Sequence, residues 1–210
     1  LTIENKESNK WQASSKATKV NLKEAAMVII VQDREGDIYE QFATIPDAQT
    51  NLLIRAKSDR ALPEGGKLFS KLSKCKVAGT YEIKIDGDNR KGQKKRTAKL
   101  EVRFTEVTLK NSSRTAKTAA ATVKLWAVEA REVGGTSKQK VCWRLLTTIP
   151  VTTLSEALMI IEWYSWRWII EEVFRILKKE GFNIEASELE SGRSIKKLCL
   201  LMLDAIIKIF

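Results

Sequence analysis

Glu171 lies on a stripe of polar side chains formed by Tyr164, Arg167, Glu171, Arg175 and Lys178. At about 100° per residue these positions share a fan of roughly 80° on one helical face. The intervening residues are mostly apolar, Trp166, Ile170, Val173 and Leu177 among them, and are expected to pack inward. A carboxylate flanked by cations on such a stripe suits a metal ion held beside a phosphate backbone. A solvated face with Arg167–Glu171 and Glu171–Arg175 ion pairs accounts for the same spacing. A second carboxylate, Asp33, follows the apolar run Met27–Val31, which reads as a buried strand ending in the polar group Gln32–Asp37. Taken alone, Asp33 also suits a turn or a helix cap, while Glu35 and Asp37 are expected to be structural.

The elements that must position these residues follow from periodicity. After the first strand, Ile38–Phe42 suits a short helix and Asn51–Arg55 a second buried strand, which together read as α/β. From Tyr81 the pattern turns β-like. Tyr81, Ile83 and Ile85 alternate with charged residues, as do Leu100, Val102 and Phe104, with the turn Asp86-Gly87-Asp88-Asn89 between them. Ala121–Val128 and Val141–Thr147 are further strand candidates, separated by Gly134-Gly135. Residues 60–140 therefore read as an antiparallel β insertion, with Arg90, Lys91, Lys94, Lys95 and Arg96 at a basic hairpin tip. Residues 1–59 and 141–210 are the two parts of the core that it interrupts. Thr153-Leu154-Ser155-Glu156 is a capping box, and the helix it starts is expected to run to Gly181. Ile195–Phe210 reads as a last helix.

Charge narrows the partner. The chain carries 37 Lys and Arg against 26 Asp and Glu, with no His, for a net charge of +11. A polyanion is the expected partner, nucleic acid before an anionic membrane surface. Cys75, Cys142 and Cys199 are far apart in sequence, which fits reduced thiols rather than a disulfide or zinc framework. The longest apolar stretches are too short to span a membrane, and nothing at the N-terminus reads as a signal peptide. The chain opens on Leu1 rather than Met, as expected of a piece of something longer.

The pattern Tyr164-x-x-Arg167-x-x-x-Glu171-x-x-x-x-x-x-Lys178 resembles the Y-R-E-K signature of the IS-four family of bacterial insertion-sequence transposases, which includes Tn-five-like proteins. Asp33-Arg34-Glu35-Gly36-Asp37 resembles the D-R-E-x-D segment that holds that family's second catalytic Asp. The similarity extends to Lys6-Glu7-Ser8-x-x-Trp11 and to Trp143 ahead of Leu145-Leu146-Thr147, and so covers nearly the whole chain. It implies an RNase H-like fold in which three carboxylates hold two divalent ions, magnesium first and manganese as the alternative, for in-line attack on phosphorus. Asp33 and Glu171 match two of the three and are expected to converge in space.

By the same resemblance, Tyr164, Arg167, Arg175 and Lys178 contact the DNA backbone, and Arg55 lies close to the site. Arg175 stands where relatives have Lys. Trp143 matches a Trp that stacks on a flipped base, although a strand Trp otherwise belongs to the core. The resemblance also implies transposon-end and target DNA as partners, a homodimer, and a bacterial cytoplasmic location at the nucleoid. The first catalytic Asp is missing, because residues 1–32 contain no Asp. The chain alone is therefore expected to be inactive. Two other readings remain, another RNase H-like nuclease or recombinase, and a non-catalytic DNA-binding module.

Overall fold

The apolar run before Asp33 forms β1 (Val28–Gln32), which pairs in parallel with β2 (Thr50–Arg55) in a computed structural model. The structure describes residues 7–85, 94–111, 120–135, 140–180 and 182–209. Four more strands extend the sheet, β3 (Gly79–Ile85), β4 (Arg96–Lys110), β5 (Thr122–Val133) and β6 (Cys142–Thr147). Their order is β1-β2-β6-β5-β4-β3, and every pairing after β1–β2 is antiparallel. The alternating segments expected within 60–140 are thus strands of the same sheet as β1 and β2. Gly134 and Gly135, with φ of 68° and 66°, end β5 in a conformation that favours glycine. The turn Asp86–Asn89 and the tip residues Arg90 and Lys91 lie outside the described residues, as does Lys6. Arg96, expected at that tip, instead pairs with Glu132 across the β4–β5 ladder.

The sheet is apolar on both faces, which is why its central strands read as continuous hydrophobic runs. Leu52, Ile54 and Leu146 face one core with Phe42 of α2 (Tyr39–Thr44) and Leu68 and Leu72 of α3 (Leu68–Lys74). Leu53 and Leu145, one residue out of phase, face the other core with Ile160, Ile161 and Tyr164 of α4 (Leu154–Ser165). The capping box forms as expected. Thr153 Oγ1 accepts from the Glu156 N–H at 3.2 Å, and the Glu156 carboxylate accepts from the Thr153 N–H at 2.9 Å. Hydrogen bonds from Thr152, more than those from Thr153, hold that carboxyl below its ordinary range.

The helix does not run unbroken to Gly181. It stops at Ser165, a turn covers Trp166 and Arg167, and α5 (Trp168–Arg175) leads into a π turn at Ile176–Glu180. Ile169 N–H donates to Trp166 O and Ile170 N–H to Arg167 O, at 2.9 and 3.2 Å, so the turn closes with tighter bonds than an α-helix uses. The cause is a change of buried face. α4 buries Ala157, Ile160, Ile161 and Tyr164, whereas the next deeply buried side chain is Leu177. At about 100° per residue, Val173 and Leu177 lie roughly 180° and 140° around the axis from Tyr164. One straight helix would leave one of these sets in solvent. The chain accordingly divides into two compact units, Leu1–Tyr164 and Ser165–Phe210. In the second, α5 and the π turn pack on α6 (Gly192–Ile209) through Val173, Ile176, Leu177, Leu198, Met202 and Ile206.

Helix α1 (Glu7–Asn21) has no apolar stripe and is held by polar contacts. Lys19 Nζ lies 2.7 Å from Asp47 Oδ2 and donates to Ile45 O at 2.7 Å, while Asp47 Oδ1 accepts from the N–H groups of Gln49 and Thr50. The Lys19 hydrogen bond, helped by those two N–H groups, holds the Asp47 carboxyl far below its ordinary value of 3.8. A depressed carboxylate adds stability that is present above the unfolded value and lost as pH falls through the folded one. We therefore expect the thermal midpoint to fall as pH is lowered below about 4, with Asp47→Asn flattening part of that dependence. Melting curves across this range test it, and an unchanged pH profile in Asp47→Asn would refute the assignment.

Candidate functional site

The residue after β1 presents the carboxylate. Asp33 has extended backbone and caps a short 3-10 turn at Arg34–Gly36, its Oδ1 accepting from the Arg34 N–H at 2.9 Å. A buried amide network fixes this strand end from below. Gln32 Nε2 donates to Ser15 Oγ of α1 at 3.2 Å, and Gln41 Nε2 of α2 donates to Gln32 Oε1 at 2.9 Å. Gly36 lies directly over the Gln32 side chain, where a β-carbon would collide with it.

Three other sequence-predicted residues gather on Asp33. Tyr164, at the end of α4, donates its hydroxyl to Asp33 Oδ1 at 3.3 Å, and Arg55, at the end of β2, brings Nη1 to 3.8 Å from the same oxygen. Arg55 Nη2 donates to the Cys142 carbonyl at 3.4 Å. Trp143 of β6 meets the Tyr164 ring edge-on, with centroids 5.9 Å apart. The Asp33 side chain is 31% exposed, so it stays accessible within this cluster.

Tyr164 corrects one expectation. It is 1% exposed and turned onto Asp33, so it does not open outward on the polar stripe. The remaining stripe residues, Arg167, Glu171, Arg175 and Lys178, belong to the second unit. There Arg167 Nη2 lies 3.1 Å from Glu171 Oε1, and its guanidinium sits 5.2 Å from the Trp168 ring centre. The second ion pair expected of Glu171 is replaced, since Arg175 binds Glu172 through Nε and Nη2 at 2.9 and 2.7 Å. Lys178 is exposed within the π turn. Trp166 and Ile170, expected to pack inward, are each 54% exposed. The helix break frees Trp166, and the small core of this unit takes only the Val173–Leu177 side of α5.

Sequence reasoning missed Arg34, Lys57 and Arg144, which line a cleft together with Arg55. Adjacency gave a signal for two of them, because Arg34 follows Asp33 and Lys57 lies two residues beyond Arg55. Cys75, Cys142 and Cys199 are free thiols. Among the described residues no helix is long and apolar enough to cross a membrane, and no three His, Cys, Asp or Glu side chains are grouped to hold a metal. As donors, Asp33 and Glu171 are hard oxygen ligands in a chain without His, which suits magnesium or manganese in kind.

These features define a mixed α/β protein that presents a carboxylate at a strand's carboxyl end, attended by an arginine and a buried tyrosine. A family model for the transposase DDE domain matches residues 15–207, and the chain belongs to that family. Its function is that of a transposase domain, an enzyme acting on DNA, and the family uses divalent metal ions.

Proposed function

We propose that this chain is the greater part of the catalytic domain of an IS-four-type, Tn-five-like transposase that cuts and joins DNA by phosphoryl transfer. In this reading an RNase H-like core carries residues 60–140 as its β insertion. The observation that carries it is the gathering of Arg55, Trp143 and Tyr164 around Asp33, in a chain matched to the family over residues 15–207. Asp33 and Glu171 would hold the divalent ions, their carboxyl groups converging within roughly 8 Å, a reach set by ions about 4 Å apart. Those ions, when bound, supply activation of the attacking oxygen and charge stabilisation of the leaving one.

The chain's own residues do the positioning. The Tyr164 hydroxyl and the Arg34 N–H orient Oδ1 of Asp33, and Arg55 balances its charge while offering donors to a phosphate. Arg167, Arg175 and Lys178 would contact backbone phosphates, and Trp143 would stack on an unpaired base. The working protein is proposed to be a homodimer. The third carboxylate would come from a segment that these residues do not include. Residues 1–32 have no Asp, and Glu24 has a side chain 90% exposed.

The test is cleavage of a transposon-end duplex from the parent element with magnesium or manganese, by this chain and by a version extended upstream. The extended protein is expected to cut at least about a hundredfold faster, since even a 1 Å misplacement costs about that much. Efficient cutting by this chain alone, abolished by Glu171→Ala, would show that the third carboxylate lies within it. An extended protein that binds the duplex and leaves it intact would sink the transposase reading in favour of a DNA-binding module.

A further inference from the structure

The first unit buries a carboxylate that the proposed chemistry does not use. Glu129 of β5 has a fully buried side chain, and in the sheet register it lies between Arg103 of β4 and Arg144 of β6. Its Oε2 accepts from Arg144 Nε at 2.7 Å and from Arg131 Nη2 at 2.8 Å, and Arg103 Nη1 lies 3.8 Å from Oε1. A buried carboxylate held by arginines is weak evidence of stabilisation, because desolvation offsets much of the attraction.

The position of Arg144 accounts for it better. Its guanidinium lies over the Phe69 ring, 4.1 Å from the centroid, and it lines a cleft of about 120 Å³ with Arg34, Arg55 and Lys57. Glu129 takes Nε, and among the described residues neither Nη of Arg144 has a side-chain partner. The same holds for the exposed heads of Arg34 and Lys57, which form no ion pair among the described residues. Arg55 ties this cleft to Asp33.

We propose that this cleft is a phosphate subsite for a DNA strand, formed by Arg34, Lys57 and Arg144, with buried Glu129 as the positioning residue that aims Arg144 into it. The proposal rests on the transposase reading for the choice of DNA as the polyanion. Stacking on Phe69 and the bond to Glu129 fix the arginine fork before a phosphate arrives, which spares the entropy of ordering it.

The test is the anisotropy of a fluorescein-labelled 20-base-pair DNA duplex (~20 base pairs, long enough for several phosphate contacts) titrated with the full chain in EDTA, over a range of KCl. Arg34→Gln and Lys57→Gln alter exposed residues and leave the core intact. Each is expected to weaken binding several-fold and to lower the slope of log affinity against log salt by about 1. Lys23→Gln, beyond the opposite end of β1, should have no such effect. Glu129→Gln separates positioning from bulk charge. It makes the protein more positive, so charge alone would tighten binding, whereas loss of aim at Arg144 weakens it about tenfold, the worth of one charged hydrogen bond. If that variant melts early, Arg144→Gln, which leaves Glu129 with Arg131 and Arg103, should fold yet bind as weakly. Unchanged affinity and salt slope in Arg34→Gln and Lys57→Gln, or tighter binding by folded Glu129→Gln, would overturn the proposal. These readouts involve no metal or cleavage, so loss of catalysis with intact duplex binding would count against the transposase reading alone.

Discussion

Asp33→Asn is expected to abolish metal-dependent strand cleavage by the upstream-extended protein while changing its melting temperature by only a few degrees. The substitution keeps an oxygen at the Oδ1 position for the Arg34 N–H and the Tyr164 hydroxyl, so the capped turn after β1 has no reason to shift. What it removes is charge. The ion pair with Arg55 spans 3.8 Å between side chains 21% and 31% exposed, and such pairs contribute about 0–1 kcal/mol. A ligand to a divalent ion is a different matter, because an amide oxygen cannot replace a carboxylate in balancing two positive charges. The rate should fall by more than the roughly hundredfold that follows from a 1 Å misplacement. Parallel melting curves and cleavage assays decide it. An Asn variant that cuts within a few-fold of the parent would remove Asp33 from the reacting centre.

The legible parts of this fold are those where one periodic face meets one core. β1 and β2 announce themselves as apolar runs buried on both sides, and the position of Asp33 follows from the end of the first run. β3 and β4 are legible by alternation, and α4 by its capping box. The helix break was not legible because Trp163–Arg175 contains no Gly or Pro, and its apolar residues are dense enough to supply two faces half a turn apart. Helix α1 was missed for the opposite reason. Its docking uses Ser15 and Lys19, which carry no hydrophobic period. The cleft was beyond sequence reading altogether. Glu129 and Arg144 become neighbours only through the β5–β6 register, and Phe69 reaches Arg144 from a helix that the pattern did not reveal.

Asp37→Ala is expected to destabilise the first unit by about 3–5 kcal/mol, the usual cost of stranding one partner of a buried pair. Asp37 lies only four residues beyond Asp33, yet its surroundings give it a different task. Its side chain is wholly buried, it accepts from the Lys57 N–H at 2.7 Å, and it is bound by the Arg60 guanidinium, which also donates to the Asp37 carbonyl at 2.6 Å. These bonds tie the turn carrying Asp33 to the segment leaving β2, where Lys57 lines the cleft. Alanine would leave the Lys57 N–H without its acceptor and Arg60 without its counter-charge, with only the Asp37 carbonyl still accepting from the guanidinium. Against a total stability of about 5–15 kcal/mol, the loss should lower the melting temperature by roughly 10 °C or more. Asp37→Asn is expected to be much milder. Burial pushes the Asp37 carboxyl up against the opposing pull of Arg60, so the fold gains little from the negative charge itself. A raised carboxyl contributes stability that is present below its unfolded value and lost as pH rises through the folded one, the opposite window from Asp47. Asparagine keeps the acceptor for Lys57 and gives up only the charge, and Arg60, with 21% of its side chain exposed, can still reach water. The exposed neighbour Glu35 serves as the control, with Glu35→Ala expected to melt as the parent does. Differential scanning calorimetry of the three variants separates these effects, and an Asp37→Ala protein that melts within about 2 °C of the parent, roughly 0.5–1 kcal/mol, would show that this pair does not hold the two strand ends together.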